Sequence, residues 1–188
     1  MELLGELELI KKAQSGSLSA FSELIHLYKP TVEKFAYQLG NPYHDIEDIT
    51  QEVFIRVYRF IHQFSHSKFS TWLYKITLNV TRDFARKRQM HFQRIEKVKK
   101  EKIVSVDYVE EHLIFSEEER ALNYCIQKLD QKYRVPIVLY YLHHKKYSEI
   151  AEILNIPLAT VKIRLLRGKE LLRKLYIELE GMEGETYG

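Results

Sequence analysis

The amino-acid sequence predicts an all-α protein made of two small helical domains joined by a flexible linker, the second containing a helix-turn-helix. Three observations carry this expectation. Apolar residues recur at helical spacing from Leu18 to His91 and again from Ser116 to about Leu179. Only seven glycines and four prolines leave little material for the turns of a many-stranded sandwich or for glycine-rich phosphate loops. Between the two periodic halves, residues 92–115 carry charge and β-branched side chains with no amphipathic period, a stretch too long for a loop inside a compact domain. A hydrophobic share of 45% beside a charged share of 29% excludes wholesale disorder.

In chain order, Ser17 reads as the N-cap of a helix through Phe21, Leu24, Ile25, Tyr28, Val32, Phe35 and Leu39, stopped by Gly40, with Asn41-Pro42 as the turn. A second helix is expected from about Asp45 to Phe64, with Ile46, Ile49, Val53, Val57, Phe60 and Phe64 as its core stripe. A third runs from about Lys68 to His91 on Phe69, Trp72, Leu73, Ile76, Val80 and Phe84. Val135–Tyr141 is the one strand-like run, but Pro136 and the lack of a second strand favour helix. The domains are therefore 1–91 and 116–179, with 92–115 as linker and 180–188 as a disordered tail.

Several function classes are excluded or disfavoured. No run approaches the roughly 18 uncharged apolar residues of a membrane span. The acidic start Met1-Glu2-Leu3-Leu4-Gly5-Glu6 is no signal peptide. Cys125, the single cysteine, permits neither a disulfide framework nor a multi-cysteine zinc site, suits a reducing cytoplasm and reads as core beside Leu122, Ile126 and Leu129. Asp45, Asp48 and Glu52 lie on one helical surface but offer too few oxygens for a catalytic cation, with no nucleophile or base nearby, and His143-His144 lack ligand spacing. No metal, cofactor or small-molecule substrate is expected, and no enzyme.

Charge is distributed in blocks. Residues 45–52 hold Asp45, Glu47, Asp48 and Glu52 with no base; residues 86–102 hold eight lysines and arginines against Glu96 and Glu101; residues 107–120 return to acid; residues 162–174 hold six bases against Glu170. Two basic blocks separated by acid suit two contacts with one long polyanion.

The informative residues are those on unexpected faces. Ile55 falls opposite the core stripe of the second helix, among Asp48, Gln51, Glu52 and Arg59, as an apolar anchor with an acidic rim suited to a basic protein surface. The third helix turns Lys75, Leu78, Asn79, Arg82 and Arg86 outward, preceded by the polar loop His62–Phe69, which includes Ser65, His66 and Lys68. Aromatic rings, an amide and cations together suit unstacked bases and phosphate. Tyr147–Leu154, the turn Asn155-Ile156-Pro157 and a helix from Leu158 form a helix-turn-helix. The second of these helices buries Val161, Leu165, Gly168, Leu172 and Leu175 and exposes Ala159, Thr160, Lys162, Ile163, Leu166 and Arg167. Aliphatics set between cations fit a major groove, where they meet thymine methyls.

These segments together resemble an extracytoplasmic-function (ECF) sigma factor. The matching residues are Ala20-Phe21 with Leu24 and Tyr28, Asp45–Phe54, Phe69–Ile76 with Asn79, Asp83 and Arg86, and the helix-turn-helix ending Thr160–Leu165. The resemblance implies that residues 1–91 are sigma region 2 and residues 116–179 sigma region 4. It implies core RNA polymerase as partner, through its β′ clamp helices and β flap, with Asp45, Asp48, Gln51, Glu52 and Ile55 as the docking residues. It implies that His62, Ser65, His66, Lys68, Lys75, Asn79, Arg82 and Arg86 open the −10 promoter element and capture an unpaired base. Tyr147, Ser148, Thr160, Lys162, Ile163, Leu166 and Arg167 are implied to read the −35 element. An anti-sigma factor is the further partner implied, holding the protein inactive in the cytoplasm or at the membrane. Pro157, at a position where a serine-like cap is common, Ile163, Leu166 and the His62–Lys68 loop depart from the family pattern and bear on which promoter is read. The competing reading is a self-sufficient helix-turn-helix regulator, which requires a dimer interface to match two half-sites.

Overall fold

A computed structural model describes residues 2–65, 68–96 and 117–185. The chain divides into two compact units. Among the described residues the first holds α1 (Glu2–Gln14), α2 (Leu18–Gln38), α3 (Tyr43–Phe60) and α4 (Phe69–Glu96). The second holds α5 (Glu117–Lys128), α6 (Gln131–Ile137), α7 (Tyr147–Leu154) and α8 (Leu158–Glu185). No strand occurs among them, and none of these helices is long and apolar enough to cross a membrane. The expected linker contributes residues 92–96 to α4, and the remainder of it lies outside the described residues. The expected tail contributes residues 180–185 to α8, so the helix runs past the anticipated stop at Leu179.

In the first unit, α1 is an element that the pattern from Leu18 onward does not include. Its Ile10 and Ala13 are buried in the core, and Gly16 ends it in the left-handed region at φ +92°. Ser17 caps α2 as expected, its Oγ accepting the Ala20 N–H at 3.3 Å. Gly40 leaves the end of α2 at φ +88°, and the Asn41 amide donates to the Ala36 carbonyl at 2.8 Å. α3 starts two residues earlier than expected, directly after Pro42. Ile46, Ile49, Val53 and Val57 are buried, each worth about 1.5–3 kcal/mol by removal from water.

Phe60, expected in the core stripe, is 41% exposed. Phe60 is the last residue of α3 and already leaves helical dihedrals, at φ −112° and ψ 0°, while Ile61 is buried at the start of the 3-10 turn Ile61–Gln63, on the same arc as Thr50, Phe54 and Val57. Leu78, expected on the outward face of α4, is fully buried. The reason is that α4 is covered on two sides. Phe69, Leu73 and Val80 enter the common core, while Tyr74, Thr77, Leu78 and Thr81 are buried further round the helix. α2 covers part of that second side, where the Phe35 and Tyr74 rings meet edge to face at 4.9 Å. The buried threonines bond back to their own helix, Thr77 Oγ1 to Leu73 O and Thr81 Oγ1 to Leu78 O, each at 2.9 Å.

In the second unit, Asp130 caps α6 by accepting the Lys132 N–H at 2.9 Å. The Val135–Tyr141 run is helical, as its proline suggested. Pro136 cannot donate within α6, and the ladder widens into a π turn over Val138–Leu142 directly after it. α7 is capped by Glu149, which accepts the Lys146 N–H at 2.8 Å. Asn155 ends α7 in the left-handed conformation at φ +52°, and the Ile156 N–H closes the turn on Ala151 O at 3.1 Å. Cys125 is buried, and burial pushes its thiol above the ordinary range.

Gly168 sits where α8 packs tightly on α6. A Cβ there would lie 3.0 Å from Ile137 Cγ1 and 3.4 Å from Tyr133 Cβ. We expect Gly168→Leu to destabilise the second unit by about 1–3 kcal/mol in chemical denaturation, by overpacking. An unchanged unfolding midpoint would show that the two helices are not held this closely.

Candidate functional site

On α3, Asp48, Gln51 and Ile55 are exposed, with Ile55 at 51%. Ile55 is no isolated aliphatic. It forms one edge of a groove of about 700 Å³ between α2 and α3, walled by Phe21, Ile25, Phe54 and Tyr58, with Lys29, Gln51 and Arg59 at the rim. Tyr58 stands edge-on to Phe21 at 5.0 Å. Thr50 lies at the groove, its buried Oγ1 without a hydrogen-bond partner among the described residues. Sequence reasoning missed the groove because Phe21 and Ile25 carry the same helical period as the core of α2. Only the spacing of two helices shows that their edges stay open.

Glu52 is half-buried and accepts from Arg56 Nε at 2.8 Å, and the same guanidinium reaches Asp83 on α4 at 3.0 Å. The Glu52 bond, followed by that to Asp83, raises the already high pKa of Arg56. Asp45 does not join Asp48, Gln51 and Ile55. It faces α4, where Arg88 Nη1 meets its Oδ2 at 2.5 Å and Arg88 Nη2 donates to Asn41 Oδ1 at 3.3 Å. Asp45 therefore pins the start of α3 to α4. The three carboxylates Asp45, Asp48 and Glu52 are thus dispersed, two of them onto separate arginines.

On α4, Lys75, Asn79, Arg82 and Arg86 are exposed and form one stripe at spacings of three and four residues. Arg86 leans on Asp83 at 3.4 Å. The stripe begins beside the loop that carries His62, Ser65 and Lys68, all exposed; His66 lies outside the described residues. The base of the loop is aromatic. Phe64 meets Phe69 at 5.5 Å and Trp72 at 5.2 Å, and Tyr28 meets Phe69 at 5.1 Å. The Gln14 amide spans the turn from below, donating to Ile61 O at 2.9 Å and Phe64 O at 2.8 Å. No periodicity marks such a polar residue in advance.

In the second unit the two faces of α8 separate cleanly. Val161, Leu165 and Gly168 are buried, while Lys162, Ile163, Leu166 and Arg167 are exposed, Ile163 at 51% and Leu166 at 63%. Thr160 is half-buried at the start of this outward face. At the head of α7, Ser148 is exposed and Tyr147 is half-buried, its ring 5.1 Å from that of Tyr140.

Comparison with known proteins identifies both units. The Sigma-70 region 2 family model matches residues 24–90, and the Sigma-70 region 4 model matches residues 119–172. The chain is 38% identical over 174 residues to the ECF RNA polymerase sigma factor SigW of Bacillus subtilis, covering 88% of this chain and 93% of that protein. It is 31% identical over 180 residues to the ECF RNA polymerase sigma-E factor of Escherichia coli K12, covering 91% and 94%. In fold it is similar to CnrH, solved in complex with the cytosolic domain of CnrY, with a TM-score of 0.68 and 24% identity, covering 91% of this chain and 96% of that one. It is also similar to the sigma factor RpoE of Bartonella quintana, solved with the anti-sigma factor NepR, with a TM-score of 0.71 and 22% identity, covering 84% and 97%. Family models that match each of the two helical units, together with sequence identity along nearly the whole chain, show that the chain belongs to the ECF family of RNA polymerase sigma factors.

Proposed function

We propose that this chain directs promoter-specific transcription as an alternative sigma factor through three surfaces with separate tasks. The α2–α3 groove, with Ile55 as anchor and Asp48, Gln51 and Glu52 beside it, docks on the β′ clamp helices of core RNA polymerase. The His62–Lys68 loop and the Lys75–Arg86 stripe take hold of the opened −10 element, with Asn79 on an unpaired base. The outward face of α8 enters the major groove of the −35 element, with Tyr147 and Ser148 at the head of α7 approaching the backbone, while the second unit meets the β flap. The protein is an initiation factor without catalytic chemistry of its own. It works in the cytoplasm, and an anti-sigma factor covering the apolar groove would withhold it from polymerase.

The observation that carries this reading is in the first unit. One small helical unit presents an open apolar groove on α3 and a basic, amide-bearing stripe on α4. A self-sufficient regulator needs neither. Run-off transcription with purified core polymerase tests the choice: promoter-dependent transcript only when the chain is added supports the sigma reading. Tight binding to promoter duplex without polymerase, and no transcript, would replace it with the regulator reading.

Substitutions on each of the three surfaces separate their tasks. Ile55→Glu should weaken binding to core polymerase by about 10–100-fold, because it places a charge at a desolvated anchor. Its circular dichroism should match the parent, since Ile55 is outside the core; a parallel loss of helicity would show that the effect is on folding.

Asn79→Ala should keep the affinity for polymerase yet reduce permanganate-reactive open complex about tenfold, a loss of ~1.4 kcal/mol. Equal reactivity in mutant and parent would remove Asn79 from the strand-capturing set.

On α8, Arg167→Ala should weaken binding to all promoters alike and lower the salt dependence by about one counterion if its contact is to phosphate. Ile163→Ser or Leu166→Ser should instead change the preferred −35 sequence, with discrimination at a thymine falling by about 1 kcal/mol. A randomised −35 library transcribed with each variant decides: identical preferred sequences would show that this face does not read bases.

A further inference from the structure

The last residue of α1 is engaged far along the chain. Gln14 Nε2 donates to the Ile61 carbonyl at 2.9 Å and to the Phe64 carbonyl at 2.8 Å. Ile61 O also accepts the Phe64 N–H at 3.0 Å, so these three bonds close the 3-10 turn from which the loop departs. α1 is itself anchored. Ile10 and Ala13 are buried in the core, and the Tyr28 hydroxyl, its pKa pushed up by burial, donates to Glu6. The far end of the loop is held by a different device, the edge-to-face contact of Phe64 with Phe69. The segment that carries Ser65 and Lys68 therefore leaves and re-enters the fold at fixed points, one polar and one aromatic.

The chemistry of the polar point is specific. A primary amide offers two N–H donors on a side chain long enough to bridge carbonyls three residues apart. A methionine fills the same space without donors, and a glutamate sets charge against two carbonyl oxygens. We propose that Gln14 is a positioning residue for strand capture, holding the Ile61 and Phe64 carbonyls so that His62, Ser65 and Lys68 meet the unpaired −10 strand on one path. This rests on the reading above that the loop contacts that strand. Gln14 touches no DNA itself; it acts through the backbone, in the way that supporting residues hold a binding constellation to its working geometry.

The test uses holoenzyme assembled from the full chain and core polymerase, with a short single-stranded DNA selected by the parent from a randomised pool as probe. Gln14→Met should weaken the probe about tenfold and flatten the preference among pool sequences, with affinity for core polymerase unchanged. Gln14→Glu should weaken the probe at least as much. Core affinity reports folding: if Gln14→Met and Gln14→Ala lose core and probe binding in proportion, Gln14 supports the fold in general and the proposal fails. Parent-like probe binding by Gln14→Met, while Lys68→Ala loses the probe, removes Gln14 alone. No loss in either Lys68→Ala or His62→Ala removes the loop reading, and the role of Gln14 with it.

Discussion

Helix α4 has to satisfy two packing surfaces at once, and the layout of the first unit follows from that demand. At about 100° per residue, its buried positions from Phe69 to Thr81 sweep roughly 200° of the helix circumference, which leaves one narrow stripe to solvent. Lys75, Asn79, Arg82 and Arg86 occupy that stripe because no other part of the helix is free. The three threonines in the buried arc, Thr71, Thr77 and Thr81, are a consequence of the same crowding. They are short enough to fit between packed helices, and Thr77 and Thr81 satisfy their hydroxyls on their own backbone.

Ion pairs between α3 and α4 then set how the two helices register rather than how stable the unit is. Arg56 with Asp83, and Arg88 with Asp45, are partly exposed pairs, each worth about 0–1 kcal/mol and weaker in salt. The apolar burial of Ile49, Val53 and Val57 outweighs them. Their value is directional. Arg56 bridges Glu52, beside the groove, to Asp83, which also contacts Arg86 on the basic stripe, so one run of ion pairs connects the two surfaces.

Much of this was legible in the sequence. The Ser17 cap, the left-handed Asn155, the outward Ile55 and the exposed pair Ile163 and Leu166 all follow from local chemistry or from one face of one helix. What escaped depends on a second neighbour. Leu78 looked outward because a periodic pattern registers the dominant packing surface and has no term for another. Phe60 looked buried because the pattern carries the helix on through it, whereas its own backbone leaves helical dihedrals there. The pairing of Asp45 with Arg88, distant in sequence, leaves no mark in the spacing of either helix. Gln14 has no signature at all, since a polar side chain that bonds backbone carbonyls leaves no trace in hydrophobic spacing.

The clean division of α8 bears on how such a protein changes over generations. Gly168 and Val161 confine the tight fit of the helix to one strip, and Ile163 and Leu166 stand on the other. Substitutions on the outer strip leave the packing energy nearly where it was, so they escape the stability threshold that eliminates most core mutations. With the outer strip reading bases as proposed, a lineage with this helix can drift from one DNA preference to another by single steps, through folded intermediates. On the inner strip the same freedom is absent, and divergence there needs compensating changes in α6.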